Sequence, residues 1–170
     1  LVERLADPRF TAAQVDASDA HAVANLAREH AITHVLNVVD PRFVLSIFEG
    51  AFLAGAHYLD TAMSLSSKHP ERPYELPGVK LGDDQFAHDD SWKAAGRLAL
   101  CGIGVEPGLA DVFARYAADH LFSEIDELGV LDASNLVVHG YDFAPPFSIW
   151  TTIEECLNPP VIWEKDKGWF

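Results

Sequence analysis

At 170 residues, 49% of them hydrophobic, the chain can build one full domain, or one domain and part of another. Its formal net charge of −14, from 12 basic against 26 acidic side chains, argues against nucleic-acid backbones and anionic membranes as partners. No apolar run approaches the roughly 20 residues that span a bilayer, the segment Leu1-Val-Glu-Arg-Leu5 lacks a signal-peptide layout, and only two distant cysteines occur, so a cytoplasmic protein is expected.

In chain order, Phe10–Val15 predicts a short strand that ends at Asp16. Ser18 or Asp19 then caps a helix over about Ala20–His30, with Val23, Leu26 and Ala27 on one face. Thr33–Val39 is the near-continuous apolar strand of a parallel sheet. Asp40-Pro41 supplies an N-cap and a proline at the first helical position. Val44, Phe48 and Phe52 follow at i, i+4 and i+8, and Gly55 ends that helix before a strand at His57–Leu59. The segment Leu65–Gly82 carries Pro70, Pro73 and Pro77 without a period, the pattern of a lid or binding loop. Asp83–Arg97 predicts one helix, with Phe86, Trp92 and Ala95 apolar. An apolar strand from Leu98 follows, holding Cys101 as a buried, inert thiol, and runs into Gly102-Ile-Gly-Val-Glu-Pro-Gly108. Val112, Phe113, Tyr116 and Leu121 mark the next helix.

Beyond about Ser123 the texture changes. Strands are expected at Ile125–Leu131 and Leu136–Val138, with a turn near 132–135. A helix over Thr151–Leu157 is stopped by Asn158-Pro-Pro160. Val161–Glu164 is a strand, and Lys165-Asp-Lys-Gly168 a hairpin turn whose returning strand is expected to be absent.

The alternation is that of an α/β fold, a doubly wound parallel sheet. Residues 1–122 are expected to form a partial domain and 123–170 the beginning of a second, α/β one. The strand–G-x-G-x-x-G–helix unit that cradles a dinucleotide pyrophosphate does not occur. The chain is therefore expected to enter its sheet at a third strand, lacking the first ones.

Three segments, Val35-Leu-Asn-Val-Val-Asp40, Tyr58-Leu-Asp60 and Leu98–Asp111, each run from a strand into a loop, the ligand edge of an open parallel sheet. Asp60, before Thr61, can bind a substrate ammonium or a ribose; a turn or N-cap role competes. Glu106, before Pro107 and Gly108, can orient a cationic substrate near helical amides that favour an anion; plain capping is the alternative. Asp16 stands where a strand end meets an adenine or ribose, or caps the next helix. Asn37, inside an apolar strand, must satisfy a buried amide by pinning a loop or facing a cofactor. The eight histidines show no metal-ligand spacing, so no metal is expected. Without Gly-x-Ser-x-Gly, Ser64, Ser66 and Ser67 do not indicate a hydrolase. Trp150 can wall a pocket or pack a core.

Asn37-Val-Val-Asp-Pro-Arg-Phe43, His57-Tyr-Leu-Asp-Thr61, Gly104-Val-Glu-Pro-Gly-Leu109, Gly140-Tyr-Asp-Phe-Ala-Pro145 and Phe147-Ser-Ile-Trp-Thr-Thr-Ile-Glu-Glu-Cys-Leu-Asn-Pro-Pro160, taken together, resemble the saccharopine dehydrogenase-like family of NAD(P)-dependent oxidoreductases. The resemblance runs through nearly the whole chain, and the last block is its most specific part. It implies a Rossmann domain interrupted by a substrate domain, NAD or NADP as cofactor, and hydride transfer at a C–N bond of an amino-acid- or polyamine-like substrate. By position, Asp16 and Ala17 would lie by the adenine, and Asn37, Val38 and Val39 would line ribose and nicotinamide. Asp60, Thr61, Glu106, Pro107 and Gly108 would border the nicotinamide and the substrate, with Asp60 and Glu106 holding the amine as the catalytic pair. Tyr141, Phe147 and Trp150 would come from the substrate domain. The family often has Asp where Glu106 stands, which alters its reach. The intact protein is expected to be a homodimer, and the 170 residues alone to be inactive. A polyamine-forming transferase of the homospermidine synthase kind and a non-catalytic cofactor sensor are the alternatives.

Overall fold

The computed structural model describes residues 7–131, 133, 135, 137–142, 144 and 149–170. Helix α1 (Ala20–Glu29) is capped by Asp19, whose carboxylate accepts from the amides of His21 and Ala22. Strand β1 (His34–Asn37) is shorter than the apolar run that predicts it. Asp40 accepts from the Arg42 amide and opens a single 3-10 turn, Pro41–Phe43; helix α2 (Val44–Ala54) starts only after it. Gly55, at φ 73°, closes α2 in the left-handed conformation that glycine adopts without strain. Strand β2 (His57–Asp60), the short helices α3 (Asp83–Phe86) and α4 (Asp89–Ala94), strand β3 (Ala99–Leu100) and helix α5 (Leu109–His120) follow.

The three strands form a parallel sheet in the order β1-β2-β3, with Asn37 opposite Asp60 and Leu59 opposite Leu100. The α/β class and the parallel sheet are thus as the alternating pattern predicts. Side chains alternate across a sheet. Val35, Tyr58, Ala99 and Cys101 therefore meet one face, packed with Ile47, Phe48 and Trp92 from the helices. The Phe48 ring lies 4.9 Å from Trp92 and edge-on to Tyr58 at 5.2 Å. The opposite face carries Leu36, Leu59 and Leu100 in register, with Leu36 63% exposed. Helices α1 and α2 cross closely over Gly50, where a Cβ would lie 2.7 Å from Val23 Cγ1 and 2.9 Å from the Ala20 carbonyl.

Several expectations are corrected. Phe10–Val15 forms no strand: among the described residues no segment offers it a ladder of hydrogen bonds, and Phe10 and Val15 are exposed. The helix predicted over Asp83–Arg97 breaks in two near His88. Each half opens on an acidic pair, Asp83-Asp84 and Asp89-Asp90, which a helix N-terminus favours and a helix interior does not. The proline-rich segment 65–82 is pinned at its neck, where Ser67 and Val79 exchange two backbone hydrogen bonds of 2.9 Å. Ile125–Leu131 forms no strand and neither do Val137 and Val138, with Leu131 and Val137 largely exposed and no partner ladder among the described residues; Leu136 lies outside them. Helix α6 (Ile149–Leu157) forms as predicted. The hairpin at Lys165–Gly168 does have a returning strand: β4 (Trp163–Glu164) pairs antiparallel with β5 (Gly168–Trp169). Among the described residues no helix is long and apolar enough to cross a membrane.

Candidate functional site

All three predicted loops leave the same edge of the sheet, and hydrogen bonds tie them together. The Thr61 amide donates to the Asn37 carbonyl at 3.3 Å, joining the loops after β1 and β2. The Ile103 amide donates to the Asp60 carbonyl at 2.8 Å, joining the loops after β2 and β3. A parallel sheet places its strand ends side by side, so residues far apart in sequence become one surface.

Asp60 is the centre of this edge. It is 1% exposed, and both carboxylate oxygens are engaged: Oδ1 accepts from the Gly102 amide at 2.6 Å and Oδ2 from Gln85 Nε2 at 2.8 Å. Gln85, on α3, accepts in turn from the Ser64 amide through Oε1 at 2.7 Å. The Ser64 hydroxyl is buried with no partner among the described residues. Asn37 shares the helix-covered face with Asp60. Its Nδ2 donates to the Tyr58 hydroxyl at 3.0 Å and its Oδ1 accepts from the Val39 amide at 3.2 Å, so its amide pins the loop after β1. Burial raises the Tyr58 hydroxyl far above its ordinary pKa; the nearby Asp60 charge adds to this, and the Asn37 hydrogen bond opposes it. Burial also pushes the Cys101 thiol up to about 12, with Asp60 again contributing.

The loop after β3 is folded tightly on itself. Gly108 has φ 129°, and a Cβ there would lie 2.6 Å from the carbonyls of Gly102 and Gly104. Gly104 is as constrained, since a Cβ would lie 2.3 Å from the Thr61 carbonyl. Gly108 is the N-cap of α5, and its amide donates to Oδ2 of Asp111 in the first turn at 3.0 Å. The next two amides, of Leu109 and Ala110, donate to the carbonyls of Gly104 and Val105. The amides of Gly108, Leu109 and Ala110 at the start of α5 are thus engaged within the chain, and the carboxylate hydrogen-bonded at that helix end is Asp111. Glu106, joined to Pro107 by a cis peptide bond, is exposed, and Pro107 is half-buried.

The other candidates are placed less centrally. Asp16 makes a turn with Ser18, accepting from its amide at 2.9 Å and its hydroxyl at 2.6 Å; it does not cap α1, which is Asp19's part. The Ala17 carbonyl accepts from the Ser46 hydroxyl at 2.6 Å. Val38 and Val39 stand exposed past the end of β1, and Thr61 is half-buried. Tyr141 is 72% exposed, Trp150 lies in the first turn of α6 with its side chain outside what is described, and Phe147 lies outside the described residues. Gln85 and Tyr58 escaped the sequence reading. Gln85 sits within a run of helical polar residues, and nothing in its local pattern marks the one that turns inward.

The family model for the saccharopine dehydrogenase NADP-binding domain matches residues 1–100, more than half of the chain. The chain belongs to this family. The domain is also similar to carboxynorspermidine synthase of Vibrio cholerae, at 35% identity over 158 residues. It is 33% identical over 161 residues to carboxynorspermidine synthase of Vibrio alginolyticus. It is 32% identical over 157 residues to carboxyaminopropylagmatine dehydrogenase of Synechocystis. These matches cover 91–94% of the chain but only 36–37% of each relative.

The loops past the strand ends carry exposed apolar side chains. Val38, Val39 and Val105 present apolar surface there, of a kind compatible with a flat ring. Among the described residues no glycine-rich phosphate turn accompanies them: the space beside Gly104 and Gly108 is filled by backbone and that beside Gly102 by the Met63 side chain.

Proposed function

We propose that this domain forms the nicotinamide-side wall of an NADP-dependent oxidoreductase acting on the C–N bond of a carboxylated polyamine. The observation that supports this most is the joined edge of three strand-end loops, found in a chain of an NADP-binding family whose relatives are named for carboxynorspermidine and carboxyaminopropylagmatine. Bound at this edge, the nicotinamide supplies or accepts the hydride. The residues of the chain position the two reactants. Val38, Val39, Thr61 and Val105 present the surface against which the rings lie and from which water is excluded. Glu106, exposed beside them, holds the cationic amine close to the wall, where a carboxylate gives both direction and charge. Residues 123–170, with Tyr141, Phe147 and Trp150, begin the substrate domain in this reading. A cytoplasmic homodimer completes it, supported by the cysteine usage and by the family resemblance respectively.

The test uses the intact protein, since the 170 residues alone, without a phosphate-binding glycine turn, are expected not to turn over. The intact protein is expected to bind NADPH in a fluorescence titration and to reduce NADP+ with carboxynorspermidine or carboxyaminopropylagmatine. Glu106→Gln is expected to raise the KM for the amine about tenfold or more while leaving NADPH affinity near the wild-type value. Unchanged amine kinetics in that variant would remove Glu106 from the site.

A further inference from the structure

The wall is held from behind by a buried hydrogen-bonded pair, and only the kinetic arm of the test rests on the functional reading. Asp60 is the buried carboxylate nearest the proposed chemistry, yet neither oxygen is open toward the edge. One accepts from Gly102 and the other from Gln85. Its side chain shares the helix-covered face with Asn37, Tyr58 and Cys101, away from the face that carries Leu36, Leu59 and Leu100. Gln85 is equally buried, at 2% exposed, and its orientation is fixed by its partners. The Ser64 amide can only donate, so Oε1 must face it; an ionised Asp60 can only accept, so Nε2 must face that. The result is a one-way chain: the Ser64 amide donates to Gln85, Gln85 donates to Asp60, and the Gly102 amide donates to Asp60.

We infer that Gln85 and Asp60 are positioning residues that clamp the loop after β2 to the loop after β3, and that Asp60 serves the site by holding Gly102 rather than by touching the amine. Gly102 opens the turn that ends at Gly108, so the clamp sets where Val105 and Glu106 stand. Residues 60 and 102 are 42 positions apart, and this contact is one of the bonds that make the two loops a single wall.

The polarity of the chain makes a decisive variant possible. In Asp60→Asn, the new side-chain oxygen can still accept from Gly102, but its amide nitrogen then meets the nitrogen of Gln85. Turning the Gln85 amide moves the conflict to the Ser64 amide. In Gln85→Glu, two carboxylates face each other in a buried place. The double variant Asp60→Asn with Gln85→Glu resolves both conflicts. The introduced asparagine accepts from Gly102 and donates to the introduced glutamate, which in turn accepts from Ser64. The double variant carries one buried negative charge, as the native pair does, but none at position 60.

In the intact protein, hydrogen exchange at the Gly102 amide and the kinetics with carboxynorspermidine are measured for wild type, both single variants and the double variant. Each single variant is expected to lose protection at Gly102 and about tenfold or more in kcat/KM. The double variant is expected to regain the Gly102 protection and to recover kcat/KM to within about threefold of wild type. A double variant in which the Gly102 amide exchanges as fast as in the single variants overturns the clamp. Restored protection with kcat still as low as in Asp60→Asn overturns the positioning role and returns Asp60 to direct contact with the amine. The exchange arm does not depend on turnover, so absence of activity with carboxynorspermidine in the wild type counts against the proposed function and leaves the clamp to be decided by Gly102.

Discussion

Single residues in this domain are set by what lies behind them as much as by their own chemistry. Cys101 shows this directly. Burial, and then the charge of Asp60, push its thiol up to about 12, whereas Cys156 on α6 is exposed. The reactive species is the thiolate, so iodoacetamide at neutral pH is expected to modify Cys156 and to spare Cys101 until denaturant is added. Mass spectrometry of the two peptides reads the outcome; equal labelling of the native protein would mean that Cys101 is not shielded as described. The sequence marked Cys101 as inert because it continues an apolar strand, and the same logic located Asp60 at a strand end and Asn37 within an apolar strand. It did not separate the two roles open to these polar residues, because that depends on which face each side chain meets. Tyr58 and Gln85 decide it, and they come from elsewhere in the chain.

Elements were legible where the signal is local. The cap at Asp19, the stop at Gly55 and the aromatic stripe of α2 each depend on residues within a few positions. Strands were less so: Phe10–Val15 has the composition of a strand, but a strand exists only by pairing. The crossing of α1 and α2 depends on Gly50, which no periodic pattern singles out. Replacing a helical glycine by alanine ordinarily stabilises by about 1 kcal/mol. Here the new methyl group would strike Val23 and the Ala20 carbonyl, and overpacking costs about 1–3 kcal/mol. Gly50→Ala is therefore expected to lower stability in urea denaturation, and a more stable variant would show that the two helices are free to separate.

The whole molecule carries its charge unevenly in consequence if not in number. Asp7, Asp16, Asp40 and Asp83 all have carboxyl groups held below their ordinary value of 3.8, chiefly by side-chain hydrogen bonds from Arg9, Ser18, Arg42 and Lys80 respectively. A carboxylate with a depressed folded pKa contributes stability that is complete above its unfolded value and disappears as pH falls through the folded one. Stability is thus expected to hold from neutral pH down to about pH 4 and to decline below it, more shallowly in Asp40→Asn. Denaturant titrations across that range measure it, and stability that rises on acidification past 3.8 would contradict these pairings.

Alternation along the strands gives the buried polar pair a second consequence. A slip of β2 by one residue would turn Leu59 toward Gln85 and carry the charge of Asp60 to the side of Leu36 and Leu100. Gly102, Gln85 and the Tyr58–Asn37 pair would all lose their partners at once. An all-apolar strand end would accept the neighbouring alignment at little cost. Asp60 and Asn37, facing each other across the ladder, act as indexing pins that make the correct alignment of the sheet distinguishable from its nearest error.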